Sequence, residues 1–341
     1  MINLNTWNKT HSFKNPLKYQ NKIAYLKTMI TVIISIVVFI ITLAWTYDFN
    51  FKQDNIALAY IIMQIFLSGF ILGFCAYLIQ KLTKNRFSDT SIMGISSVNI
   101  LGVIIIAFQV DFNNFSADKL STLEHTEPII FFIAPIILCM LYYFTCKEQS
   151  SFNYKKMLIS GVIVNFLSVA LGASIAKNLP KLANAYVSRY TYGSIEPQQE
   201  SFFIALVLII IGLLIVLFNF KKIQIVSSNQ DLANQLGINV KLTSGLLLVA
   251  ICLMVGASYS LNGNLIFIGL MAGNMGSVIS NNRFKSAAIS SGCCGSLIYM
   301  LSFLLFIKIL NFDSQWLNLA IPLIISPYFI YIIVKKNKSD L

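Results

Sequence analysis

Charge is what this sequence has least of. Asp, Glu, Lys and Arg make up 11% of its 341 residues, against roughly 25% in a soluble globular domain. That shortage excludes a solvated surface of ordinary extent. Histidine is nearly missing as well. His11 and His125 both lie in polar stretches, where they read as solvated surface, so no catalytic residue is expected. The six cysteines, Cys75, Cys139, Cys146, Cys252, Cys293 and Cys294, form no CxxC pair and no Cys/His cluster. A metal site and a disulfide frame are therefore not expected, and the thiols read as small apolar packing groups. No GxxxxGK[ST] occurs, which excludes ATP binding through a P-loop. No cofactor is implied.

What is present is hydrophobic: 57% of the residues, with a mean hydropathy of +0.73. Runs long enough to cross a bilayer as helices, about 20 residues each, recur along the whole chain. They fall near 28–47, 56–80, 92–110, 128–146, 157–176, 202–220, 242–259, 265–280, 286–307 and 317–334. The short alternating segments of a membrane β-barrel are absent. The expected fold is all-α, a multi-pass membrane protein of about ten helices, with a basic tail over 1–27 and one transmembrane domain over 28–341. The first run follows that tail and is long enough to span, so it reads as a helix and not as a cleaved signal.

Ten spans place both termini on one side. That side collects 19 of the 25 basic residues, and the other holds nine of the 13 acids. The positive-inside rule makes the first side, with both termini, cytoplasmic in a plasma or inner membrane. The net charge of +12 is thus explained by topology, and no nucleic-acid partner is expected.

The spans carry essentially no ionisable group in their interiors, which argues against a proton or sodium relay. Three options remain: a passive pore, a structural subunit, or the membrane part of a transporter energised by another chain. The last needs a docking element on the cytoplasmic side. Ser227–Asn239, SSNQDLANQLGIN, has the right form, within a polar segment over 226–241. Asp231 begins a short helix, Leu232, Ala233 and Leu236 share a face, and Gly237 stops it. Such a helix fits a partner's groove, or lies on the membrane as an amphipathic linker. In the second span, Gly69 and Gly73 form a GxxxG that lets another helix approach closely.

Several segments carry a family resemblance. LANQLGINVK, a span, and then NGNLIFIGL resembles the permease subunits of iron–siderophore, haem and cobalamin ABC importers, the FecCD type. Those read A-x-x-L-G-V-N-V, a span, then G-x-I-x-F-V-G-L. The matching residues are Ala233, Leu236, Gly237, Asn239, Gly263, Phe267, Gly269 and Leu270. QKLTKNRFSDTSIMGISS over Gln80–Ser97 is similar to the family's Q-x-L-T-R-N-P-L-A-D-P-x-I-L-G-I-S-S. GSIEP from Gly193 corresponds to a W-x-x-G-S segment. The C-terminal Pro327, Phe329 and Tyr331 follow a G-x-P-x-F-x-Y-L ending. Departures also occur. Gly273, Asn274 and Ser277 stand where the family has P-H-x-x-R, Arg86 replaces a proline, and LAYI over Leu58–Ile61 replaces R-L-P-R. Phe303 falls where a late Asp is usual.

The resemblance implies a type II importer fold. It also implies an ABC ATPase dimer, a second permease (identical or different), an extracytoplasmic substrate-binding protein, membrane lipid around the helices, and an iron–siderophore cargo. Ser227–Asn239 becomes the coupling segment to the ATPase, through Leu232, Ala233, Leu236, Gly237 and Asn239. Asn165, Ser168, Gly172 and Ser174 of the fifth span are expected along the translocation path. Gly69, Gly73, Gly269 and Gly273 are expected in helix packing. Lys52 and Lys308 are expected to meet the binding protein in place of the missing arginines. A cobalamin or haem permease and a structural subunit without a path are the alternatives.

Overall fold

The computed structural model describes residues 16–46, 53–109, 117–193, 195, 199–312, 321–323 and 326–327. Their regular structure is helical: α1 (Pro16–Thr46), α2 (Gln53–Thr83), α3 (Ile95–Gln109), α4 (Ala117–Cys146), α5 (Tyr154–Ala176), α6 (Lys181–Tyr192), α7 (Gln199–Ser228), α8 (Gln230–Gln235), α9 (Val240–Asn262), α10 (Ile268–Ile279) and α11 (Phe284–Phe303). A π-helical stretch, Leu304–Ile309, continues α11. The one β-type contact among the described residues is a bridge between Lys147 and Phe152.

Among the described residues seven helices are long and apolar enough to cross a membrane: α1, α2, α4, α5, α7, α9 and α11 with its extension. The shorter apolar helices are α3 and α10. These nine occupy the first nine expected spans. The tenth, 317–334, lies outside the described residues except for 321–323 and 326–327, and Lys52 lies outside them too. Helical conformation follows from the medium, because a lipid-embedded backbone must satisfy its own N–H and C=O groups.

Two stretches expected to be loop are helical. α6 occupies the polar segment after the fifth span. Pro180 precedes its first residue, and Gly193, at φ +79°, ends it. Proline at a helix start and glycine past its end were the signals available. α7 runs on to Ser228, two turns beyond Lys221 and Lys222, because nothing in KKIQIVSS breaks a helix.

α9 is the centre of the bundle. Every residue from Ala250 to Leu265 is buried, as expected of a helix that is apolar on all sides. It packs against α7, α4 and α2. The outer helices behave oppositely. α1, α5 and α7 turn Ile33, Ile40, Ile163, Phe166, Leu217 and Phe218 outward, a surface suited to hydrocarbon and not to water.

The tightest seam joins α2 to α10 and α11. A Cβ on Gly69 would stand 2.7 Å from the Gly295 carbonyl oxygen and 2.8 Å from Ser296 Cα. One on Gly73 would overlap the Ser291 carbonyl and reach 2.9 Å from the Ala272 methyl. Gly295 and Gly276 are pressed in the same way against the backbones of Gly69 and Ser291. Backbones meet here because small residues remove the side chains between them. α1 joins the same block through hydroxyls: Ser35 Oγ lies 2.9 Å from Ser296 Oγ, and Thr28 Oγ1 lies 3.3 Å from Ser280 Oγ.

Candidate functional site

The short helix α8 is built by caps at both ends. Asn229, in extended conformation, accepts hydrogen bonds from the amides of Asp231 (2.9 Å) and Leu232 (3.4 Å). The helix therefore begins at Gln230, one residue before the expected start at Asp231. At the other end Gly237 adopts φ +73°. Its amide donates to the Asn234 carbonyl (3.0 Å) and the Ile238 amide to the Ala233 carbonyl (2.9 Å), the paired bonds of a Schellman stop. Nothing lies within 4 Å of where a Gly237 Cβ would be. Glycine is favoured there by backbone conformation and not by space. Asn239 then caps α9 by accepting from the Leu242 amide at 3.1 Å.

Leu232, Ala233 and Leu236 differ in burial. Successive residues are turned by about 100°, so the three fall within one arc of about 100°, with Leu232 and Leu236 a turn apart and Ala233 at the edge that packs on the protein. Ala233 is fully buried under α8, whereas Leu232 and Leu236 are 47% and 61% exposed.

α8 is fastened to the loop between α4 and α5. The Gln230 amide group donates to the Phe152 carbonyl (2.9 Å), and the Phe152 amide donates back to Gln230 Oε1 (3.0 Å). Asn234 Nδ2 donates to the Ser150 carbonyl at 2.8 Å. The loop is itself braced. Glu148 accepts from Asn153 Nδ2 (2.8 Å) and Ser151 Oγ (2.7 Å), and these donors hold its carboxyl below the usual range. Asn153 also caps α5 through the Lys156 amide. No local signal marks a pairing between residues 78 positions apart.

The four residues expected along the path are divided. Asn165, Ser168 and Gly172 lie on one side of α5, and a Cβ on Gly172 would stand 3.0 Å from Ile104 of α3. Ser168 and Gly172 are buried within this chain. Ser174 lies on the opposite, exposed side, its hydroxyl returned to the Ala170 carbonyl at 2.9 Å. Lys308 is half-buried in the π-helical stretch. Among the described residues, no group of three or more His, Cys, Asp or Glu could hold a metal ion.

Residues 27–335 match the FecCD transport family. The chain belongs to the FecCD transport family. Its relatives include the iron-uptake system permease protein FeuC of Bacillus subtilis, 23% identical over 297 residues that cover 86% of this chain and 85% of that one. The hemin transport system permease protein HmuU of Yersinia pestis is 22% identical over 300 residues, covering 86% and 85%. A solved metal-chelate type ABC transporter in an inward-facing conformation shares the fold, with a TM-score of 0.73 at 15% identity, covering 90% of this chain and 98% of that one. The protein is a multi-pass ABC importer permease.

The FecCD segments that are scattered in sequence meet in space. Gln80 Nε2 donates to the Leu270 carbonyl (3.2 Å), and Gly273 leaves room for the Gln80 side chain. Gly269 faces Asp89, whose Oδ1 would be 2.5 Å from an added Cβ. At the other end, the Asn264 amide donates to the Tyr190 carbonyl at 2.9 Å, and Gly263, at φ +70°, lies against Gly193. The departures from the family pattern meet as well. Asn274 Nδ2 reaches the carbonyl of Arg86 at 2.9 Å, and Ser277 Oγ donates to Asn282 Oδ1 at 2.9 Å. Asn274, one of the residues in place of the usual Pro-His-x-x-Arg on α10, thus contacts Arg86, which replaces the usual proline after α2.

Proposed function

We propose that this permease carries an iron–siderophore chelate inward, driven by a separate ATPase dimer that docks on α8. The observation that carries the reading is the pair of exposed leucines, Leu232 and Leu236, on a doubly capped helix fastened to the α4–α5 loop. Two leucines, one on α8 and one at its C-cap, exposed beside each other on a rigidly held segment suit a groove on a partner. Both termini and α8 lie on the cytoplasmic side, on the strength of the basic-residue asymmetry.

When nucleotide binding closes the ATPase dimer, α8 moves with its groove. The Gln230–Phe152 and Asn234–Ser150 bonds pass that displacement to the ends of α4 and α5, and the Asn239 cap passes it to α9. Two permeases, identical or different, then rock about their shared interface between outward- and inward-open states. The permease forms and breaks no covalent bond. Half-buried Asn165, on the side of α5 that carries Ser168 and Gly172, lines the path, and Ser174 on the opposite side is left out of it. Ser168 and Gly172 set the spacing of α5 on α3. Lys308, with Lys52, meets the extracytoplasmic binding protein.

Iron chelates are the favoured cargo because relatives are named for iron uptake, iron(3+)-hydroxamate and petrobactin. The hemin permease of Yersinia pestis supports haem as the second reading. The test is uptake of radiolabelled ferric hydroxamate by cells expressing the full complex, with hemin as competitor. Iron uptake that requires ATPase activity and ignores hemin supports the first reading. Displacement by hemin selects the second. Membrane assembly without any ATP-dependent uptake rejects both in favour of a structural subunit.

A further inference from the structure

A cavity of about 490 Å³ opens where the ends of α2 and α7 meet the turn into α11. Lys81, Lys84, Arg86 and Arg283 line it, with Gln80 and Asn282 among the neutral groups, and among the described residues no carboxylate does. Among the described residues no acidic group neutralises Lys81. Its ammonium lies 3.4 Å from Asn282 Oδ1 and 5.5 Å from the centre of the Tyr77 ring. Four cations around one concavity repel one another unless an anion joins them.

A second groove, about 390 Å³, adjoins the first, and Gln224 lines both. Its walls are apolar: Phe74, Leu217, Phe220, Ala288 and Ile289. Lys221 and Lys285 also line it. The groove is open to the surroundings, because Leu217 and Ile289 remain exposed. A polar, cationic chamber thus leads directly into an apolar trough between membrane helices.

We propose that this cleft binds one anionic phospholipid, its phosphate in the basic cavity and an acyl chain in the groove between α2, α7 and α11. A soluble anion would use the cations and leave the trough empty. A neutral lipid would use the trough and leave the cations unpaired. The two chambers together select a lipid with a negative headgroup, the ligand that basic pockets between transmembrane helices are suited to hold. The site is separate from the exposed leucines of α8, although α7 leads into that helix. It does not depend on which cargo is carried.

The experiment uses the full chain purified in non-ionic detergent, with phosphatidylglycerol or phosphatidylcholine as the probe and native mass spectrometry as the readout. Wild-type protein is expected to keep one phosphatidylglycerol per chain and to lose phosphatidylcholine. Lys84→Gln/Arg86→Gln/Arg283→Gln is expected to weaken phosphatidylglycerol retention by about tenfold or more, and excess inorganic phosphate is expected not to displace the lipid. If the triple variant does not fold, Ile289→Trp, which narrows the trough and keeps every charge, is expected to show the same loss. Equal retention of the two lipids, wild-type retention by the triple variant or by Ile289→Trp, or displacement by inorganic phosphate would overturn the proposal.

Discussion

Replacing both Leu232 and Leu236 with alanine separates a docking surface from a structural one. Complete burial of a leucine side chain is worth about 2 kcal/mol. Within the permease these two leave 47% and 61% of their surface exposed, so roughly half of that free energy, about 1 kcal/mol each, is left for a partner to claim. Loss of both should weaken ATPase binding by about 2 kcal/mol, or about thirtyfold in Kd. The permease itself should scarcely notice. Alanine is at least as good a helix former as leucine, and the caps at Asn229 and Gly237 are untouched. The assay is titration of the purified ATPase onto nanodisc-embedded permease, with the melting temperature of the permease followed in parallel. A thirtyfold weaker Kd with a melting temperature within about 2 °C of wild type is the expected result. Unchanged affinity would refute the docking role of α8. A large fall in melting temperature would show that the leucines hold the permease together and that the surface reasoning was wrong.

Gln230→Leu removes two hydrogen bonds to Phe152, each worth about 1 kcal/mol. It should leave ATPase binding in place while ATP-driven uptake drops, because α8 then moves without pulling the α4–α5 loop. Comparing ATPase binding with transport in the same vesicles checks this. Gly73→Ala pushes a methyl into the Ser291 carbonyl and the Ala272 side chain. It should cost about 1–3 kcal/mol, seen as a lower melting temperature in detergent. Asp89 is buried, and burial raises its carboxyl above the usual range against the opposing bonds from Thr90 and Ser91. A carboxyl raised on folding favours the native state most at low pH, and that contribution fades as the pH climbs through the folded value. Asp89→Asn, which mimics the neutral form, should melt at or above the wild-type temperature at pH 7, with the gap closing as the pH is lowered. A gap that stays constant with pH would show that the carboxyl does not titrate as its burial implies.

Length and apolarity made the helices legible in the sequence, because a bilayer requires a long unbroken run and little else. The same measure missed α6, which is amphipathic and short, although Pro180 and Gly193 frame it. At α8 the stop at Gly237 is readable, but the start expected at Asp231 falls one residue late, because Asn229 supplies the capping bonds and the helix begins at Gln230. Leu232, Ala233 and Leu236 fall within one arc of α8, yet only Ala233 is buried, a division that shows only once α8 is packed on the bundle. The clamp from Gln230 to Phe152 was beyond reach, since a side chain that pairs with a distant backbone leaves no periodic trace. The family segments were recognisable one by one, yet their meeting, Gln80 with Leu270 and Asn264 with Tyr190, appears only when the chain is folded.

The glycine seam has a consequence for how the chain is made. α2 enters the membrane early, and its partners α10 and α11 follow about 200 residues later. Until they arrive, the groove around Gly69 and Gly73 is unfilled and Gln80 has no carbonyl at Leu270 to bind. The N-terminal helices therefore wait in the bilayer as an incomplete assembly, as large proteins that emerge N-terminus first commonly do. Completion of the seam is a late event in biogenesis. A permease truncated before α10 would insert but offer quality-control proteases an unfinished face.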